Sequence, residues 1–173
     1  MAVLVAYATA HGSTKGVAGR ISEQLRAEGI SVDLRAADDV SDLSGYSAVV
    51  LGSAIHNSRW LTPAAALLTR INEKDAVPLW LFSVCTIGET TSFLGPRLSR
   101  IARQRRPLPA DVAGAGGEHR FFAGQIEKSH WNFLGRAFFL LSGGSYGDHR
   151  DWDDIDQWAR SISAVLGAKQ PNV

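Results

Sequence analysis

Val3, Leu4, Val5, Ala6 and Tyr7 form an unbroken apolar run that stops at a short segment of small residues and passes directly into a helical repeat. A strand with no polar side chain on either face needs cover on both, which points to the centre of a parallel sheet with helices above and below. The rest of the chain keeps this alternation. Val17, Ala18, Ile21 and Leu25 recur at helical spacing, with Gly29 placed as a C-terminal cap. Ile30 to Ala36 reads as a second strand, and Ala48 to Leu51 as a third, ended by Gly52 and Ser53. Thr62-Pro63 resembles an N-cap with proline in the first helical position, and Ala64, Leu67, Leu68 and Ile71 supply one apolar face.

Leu79 to Val84 is a fourth strand; Leu94, Leu98, Ile101 and Ala102 mark a helix ending before Pro107; and His119 to Ala123 is a shorter fifth strand. Ile155, Trp158, Ala159, Ile162, Val165 and Leu166 form the last helical stripe, with Asp151, Asp153 and Asp154 at its positive end. Strands alternating with helices predict an α/β fold, a doubly wound five-stranded parallel sheet with helices on both faces. In such sheets ligands bind beyond the carboxyl ends of the strands, so the loops after the first, third and fourth strands are the places to search.

The 173 residues suit a single domain over 1–166, with 124–150 as an extra segment before the last helix and 167–173 as a flexible tail. Pro107 to Glu118 reads as a mobile, glycine-rich connection. Cys85 is the only cysteine, which excludes an internal disulfide framework or a cysteine-based metal centre and suits a reducing cytoplasm. Eighteen Lys plus Arg against seventeen Asp plus Glu leave a net charge of +1, so no general basic field calls for nucleic acid. The opening residues lack a basic region ahead of their apolar run and do not read as a signal peptide. No stretch approaches the roughly 18 to 20 apolar residues of a membrane span, leaving peripheral contact at the inner face of a membrane as the alternative to a fully soluble protein.

Thr9, Ala10, His11, Gly12, Ser13 and Thr14 lie between a buried strand and a helix, where backbone N–H groups converge on an anion such as phosphate. Gly12 lets the backbone approach closely, and the Thr9, Ser13 and Thr14 hydroxyls donate without adding charge. In the plainer alternative, Ser13 or Thr14 caps the helix, the rest is a turn, and His11 faces solvent. The segment contains neither GxGxxG nor GxxxxGK[ST], which disfavours a dinucleotide-binding Rossmann domain and a nucleoside triphosphatase and favours a flavin mononucleotide loop.

Tyr7-Ala-Thr9-Ala-His-Gly12-Ser-Thr14, the glycine closing the first helix, and Gly52-Ser-Ala-Ile-His56 resemble the flavodoxin superfamily over nearly the whole chain in element order. Within it, Val50-Leu-Gly-Ser-Ala-Ile55, Phe82-Ser-Val84 and Leu141-Ser-Gly-Gly144 followed by Trp152 resemble the menaquinone-dependent protoporphyrinogen dehydrogenase branch. The resemblance implies bound FMN, its phosphate on Thr9 to Thr14 and its ring between the loops after the third and fourth strands. In the first of these loops Ala54, Ile55 and His56 lie near the ring. Trp60 is the preferred stacking aromatic, its alternative being a residue packed at the start of the next helix. In the second loop, the backbone of Val84, Cys85, Thr86, Ile87 and Gly88 borders the flavin edge, and the absence of an aromatic residue leaves that face open to a substrate. The Cys85 thiol reads as inert, with a redox sensor as the alternative.

The 124–150 segment exceeds an ordinary connection, and Phe133, Leu134, Ala137, Phe138 and Leu141 follow helical spacing. It packs on its own domain, forms a homodimer contact, meets lipid, or walls an apolar substrate such as a porphyrin or quinone. Arg97, Arg100, Arg103, Arg105 and Arg106 form a solvated face or a docking surface for anions. The aspartates from Asp148 to Asp156 are explained by the last helix dipole better than by a metal. Three functions remain open: an FMN-dependent oxidoreductase passing electrons from a small-molecule donor to quinone, an electron carrier between proteins, and a non-catalytic flavin-binding regulatory module. No catalytic side chain is nominated; His130 is the histidine to test.

Overall fold

The computed structural model describes residues 1–73, 77–85, 108–112, 114–126 and 147–168. The expected helix over Leu94 to Ala102, the arginines from Arg97 to Arg106, His130 and the Phe133 to Leu141 stripe fall outside these residues.

Strands β1 (Ala2–Ala8), β2 (Val32–Ala36), β3 (Tyr46–His56), β5 (Leu79–Cys85) and β6 (Glu118–Ala123) form a parallel sheet in the order β2-β1-β3-β5-β6. A two-residue strand, β4 (Arg59–Trp60), folds back antiparallel on the end of β3. Helices α1 (Ser13–Ala27) and α3 (Trp152–Ala168) cover one face, where Val17, Ile21, Leu25, Ile155, Trp158 and Ile162 pack on Val5, Val50 and Phe82. Helix α2 (Thr62–Asn72) covers the other, where Leu67, Leu68 and Ile71 meet Leu4, Leu51 and Leu81. The apolar run that opens the chain thus lies between two helical layers. Full burial of each large aliphatic side chain contributes about 1.5–3 kcal/mol, which makes both faces of β1 sources of stability.

The cap expected at Gly29 forms. Gly29 has φ +81°, its N–H bonds to Arg26 O, and the Ile30 N–H reaches Leu25 O, a paired closure that needs a left-handed residue. Gly29 and Ile30 are used by this turn, which is why β2, Val32–Ala36, starts after Ile30. Proline falls one place later than expected in α2: Leu61 is the cap residue and Thr62 the first helical residue. Two residues of the Pro107 to Glu118 connection have contacts with the rest of the fold. Val112 is buried in the α2-side core and Asp111 pairs with Arg59 at 2.9 Å. Helix α3 also runs through Gly167 and Ala168, two residues into the segment read as a tail.

Candidate functional site at the carboxyl edge of the sheet

Chain connections leave β1 in opposite directions, to β2 through α1 and to the far side of β1 at β3, so the winding reverses between β1 and β3. Register aligns their ends: Ala8 is opposite Ser53, Ala54 opposite Val84, and Cys85 opposite Ala123. The turn at 9–12, the end of β3 and the end of β5 therefore share one edge, where a crevice opens in sheets of this winding.

Gly12 is the N-cap of α1, with φ +85° and no side-chain cap. Ser13 and Thr14 are the first helical residues, so the alternative in which one of them caps the helix does not hold. The amides of Ser13, Thr14 and Lys15 have no acceptor earlier in their own helix. The first turn contains no acidic residue to answer the positive end of the dipole. Thr9 Oγ1 accepts the Gly12 N–H at 2.9 Å, which closes the turn and leaves the Thr9 proton able to donate. Ala10, His11 and Gly12 are exposed and Ser13 and Thr14 buried. Thr14 is fully buried, and its Oγ1 has no hydrogen-bond partner among the described residues. An unsatisfied buried hydroxyl costs about 1–3 kcal/mol, a cost that an acceptor brought by a ligand would remove. By contrast α3 is capped within the protein: the Asp154 N–H donates to Asp151 Oδ1 at 3.1 Å, and Asp153 and Asp154 occupy its first turn.

The third strand does not stop at Gly52 and Ser53. It continues through Ala54 and Ile55 to His56, and Asn57 and Ser58, with φ of 50° and 62°, turn the chain back into β4. Two successive left-handed residues match the twist of a tight hairpin. Ala54 and Ile55 are half-buried and His56 is exposed at the hairpin tip. Trp60 is not at that edge as a free ring. It is 4% exposed, its Nε1–H donates to Ser83 Oγ at 2.7 Å, and it belongs to the α2-side core. The packing alternative accounts for this side chain, and no ring face remains open for stacking.

Ser83 Oγ lies 2.9 Å from His119 Nε2, so Trp60, Ser83 and the part-buried His119 form one chain of polar groups across β4, β5 and β6. Burial pushes His119 down to about 4, which keeps the imidazole neutral near physiological pH. Asp111 accepts both the Arg59 guanidinium and the Trp60 N–H, at 2.9 and 3.0 Å, and fixes the hairpin from below. The Arg59 hydrogen bond holds the Asp111 carboxyl below its ordinary range.

On the third loop, Val84 and Cys85 end β5 and both are buried; the Cys85 thiol, 1% exposed, lacks the access a redox sensor needs. Cys85 O accepts the Gly124 N–H at 3.1 Å. Thr86, Ile87 and Gly88 lie outside the described residues. Two short strands without a periodic signal in the sequence, β7 (Gln125–Ile126) and β8 (Gly147–Asp148), pair antiparallel beside α1. Gln125 N–H donates to Ser13 Oγ at 2.9 Å, and Arg150 bonds to Gln125 and Asp148. The aspartates have partners or capping duties: Asp148 with Arg150, Asp154 with Arg120, Asp156 with Arg20, and Asp151 as the α3 cap. The Arg20 hydrogen bond holds the Asp156 carboxyl low. Among the described residues no group of His, Cys, Asp and Glu is arranged to hold a metal ion, and no helix is long and apolar enough to cross a membrane.

Solved structures share this architecture at low identity. Rubredoxin oxygen:oxidoreductase from Desulfovibrio gigas aligns with a TM-score of 0.62 at 19% identity, covering 96% of this chain and 36% of that one, so the chain spans little more than a third of that protein. A flavodoxin from the domain Archaea aligns at 0.59 and 15% identity, covering 96% of this chain and 99% of that one. The Fusobacterium nucleatum flavodoxin bound to flavin mononucleotide aligns at 0.53 and 14% identity, covering 95% and 98%. No curated protein sequence matches the chain. The sequence of residues 4–142 fits the flavodoxin domain model, and the strand order and open switch point agree with it: the chain belongs to the flavodoxin domain family.

Proposed function

We propose that the chain binds FMN at the carboxyl edge of the sheet and works as an FMN-dependent oxidoreductase, taking electrons from a reduced organic donor and passing them to a quinone or similar acceptor. The observation that carries this reading is the buried Thr14 hydroxyl, without a partner among the described residues, at the N-terminus of α1. Such a group suits a phosphate, with no acceptor among the described residues to compete for it. The Thr9 and Ser13 hydroxyls and the first-turn amides would hold the remaining phosphate oxygens. Ala54, Ile55 and His56 on the hairpin, with Val84 and Cys85 at the end of β5, would border the ring. When bound, FMN supplies the electron-transfer chemistry; the chain binds it, orients it and controls access.

The hairpin is suited to orientation because Trp60, Ser83 and Asp111 fix its base from within the core. The protoporphyrinogen dehydrogenase resemblance proposes a large apolar donor and peripheral membrane contact, with the 124–150 segment shaping access. A second reading, a carrier of single electrons between proteins, is supported by the alignment over 99% of a stand-alone flavodoxin.

Anaerobic reduction of the FMN-loaded chain by a donor panel that includes protoporphyrinogen and reduced quinone, followed by reoxidation with quinone, separates these readings. Steady turnover with an organic donor is the expected result. Exchange only with protein partners, in one-electron steps, would select the carrier, and a chain that never takes up FMN would contradict both.

A further inference from the structure

We propose that Arg150 is a positioning residue for the phosphate turn, acting through Gln125 and Ser13 and through direct packing on the first turn of α1. This rests on the FMN reading above. Arg150 is 14% exposed and forks onto Asp148, with Nε 2.7 Å from Oδ1 and Nη2 2.6 Å from Oδ2. The carboxylate neutralises the guanidinium, so the side chain serves here as a rigid planar brace and not as a free cation for the anion. The same Nη2 donates to Gln125 Oε1 at 3.1 Å, and the guanidinium carbon sits 4.4 Å from the centre of the Trp152 ring. Four contacts thus fix a side chain of high rotamer entropy in one place.

Two paths lead from this brace to the phosphate turn. The first runs through Gln125, whose backbone N–H donates to Ser13 Oγ. With one lone pair taken by that N–H, the Ser13 hydroxyl has its rotation restricted and its proton directed away from Gln125, where it can donate to a ligand. The second runs through Gly16. A Cβ at this position would lie 2.3 Å from Arg150 Nη1, so the guanidinium occupies the space that any other residue would fill. The Gly16 N–H makes the bond to Gly12 O that begins α1. Glycine inside a helix costs about 1 kcal/mol relative to alanine. Its φ is not in the left-handed region, and among the described residues the close contacts are with the Arg150 guanidinium, so a methyl here displaces that side chain.

Gly16→Ala therefore improves helix propensity while evicting the brace, which separates the proposed role from general stability. The test uses the full chain, with FMN and riboflavin dissociation constants read from quenching of flavin fluorescence for wild type, Arg150→Ala, Gly16→Ala and the double variant. Riboflavin lacks the phosphate, so it reports any effect not transmitted through the turn. Each single variant is expected to weaken FMN about tenfold and riboflavin less than about twofold, and the double variant to be no worse than Arg150→Ala alone, because both remove one interaction. Unchanged FMN affinity in Gly16→Ala, equal losses for the two flavins, or additive losses in the double variant would overturn the proposal while leaving wild-type FMN binding intact. A wild-type chain that binds no FMN would overturn the FMN reading itself, and this proposal with it.

Discussion

Gly12→Val should lower FMN affinity about a hundredfold while costing the fold only about 1–2 kcal/mol. The stability cost comes from the backbone: Gly12 has φ +85°, and a β-branched residue resists the left-handed region by about that amount. A Cβ at Gly12 would meet no atom of the described residues within 4 Å. That empty space adjoins the open amides of α1, where the phosphate is proposed to sit. A valine would occupy it and turn the Gly12 N–H, which donates to Thr9 Oγ1, out of its present direction. Loss of one or two hydrogen bonds to a charged group accounts for the hundredfold figure, at about 1.5–3 kcal/mol each. Gly12→Asn separates the causes, because asparagine tolerates the left-handed region and should leave the denaturation midpoint near that of wild type while still weakening FMN. An FMN affinity unchanged in Gly12→Val would place the phosphate elsewhere.

Gly52→Ala is expected to destabilise the fold by about 3 kcal/mol. Gly52 lies in the centre of β3, and a Cβ there would fall 2.0–2.3 Å from three carbons of the Phe82 ring on β5. Phe82 cannot retreat easily, since it is fully buried and packs against the rings of Phe122 and Trp158 at 6.0 and 6.1 Å. Cores at crystal-like density do not absorb such an overlap without moving a strand. Phe82→Leu alone should cost about 1–2 kcal/mol through lost contact, yet the same change should partly rescue Gly52→Ala by vacating the ring's place. Chemical denaturation of the four chains gives the coupling directly; losses that simply add would contradict this account of the glycine.

The same glycine shows why the sequence was legible in some places and misleading in others. Val3 to Tyr7, the Val17 to Leu25 repeat and Gly29 are governed by neighbours in the chain, and their local pattern was enough to place β1, α1 and its closing turn. Gly52 and Ser53 read as the end of a strand because glycine disfavours strands locally. Their strand conformation comes from pairing with β1 and β5, Gly52 opposite Tyr7 and Phe82 and Ser53 opposite Ala8 and Ser83, which no local pattern reports. Trp60 read as the preferred stacking aromatic for a related reason: its partners Ser83 and His119 arrive on β5 and β6. Asn57-Ser58 carried only a weak hairpin signal beside the usual Asn-Gly pair.

At the candidate site, the clustering of Thr9, Gly12, Ser13 and Thr14 could be read from the strand–loop–helix order. The role of Gly12 as the cap residue, and with it the partnerless Thr14 hydroxyl, could not, because capping by Ser13 or Thr14 fits the same letters. Gln125 and Arg150 gave no signal at all: they meet α1 only after the chain has passed through the entire sheet.

Thr14→Val tests the central claim most directly, because it replaces the orphaned hydroxyl by a methyl of nearly the same volume. With no ligand, removing an unsatisfied buried hydroxyl should leave the chain as stable as wild type or about 1 kcal/mol more stable. FMN binding, titrated on the same samples, should weaken about tenfold as one donor to the phosphate is lost. A variant that binds FMN as tightly as wild type would contradict the assignment of this turn to the phosphate.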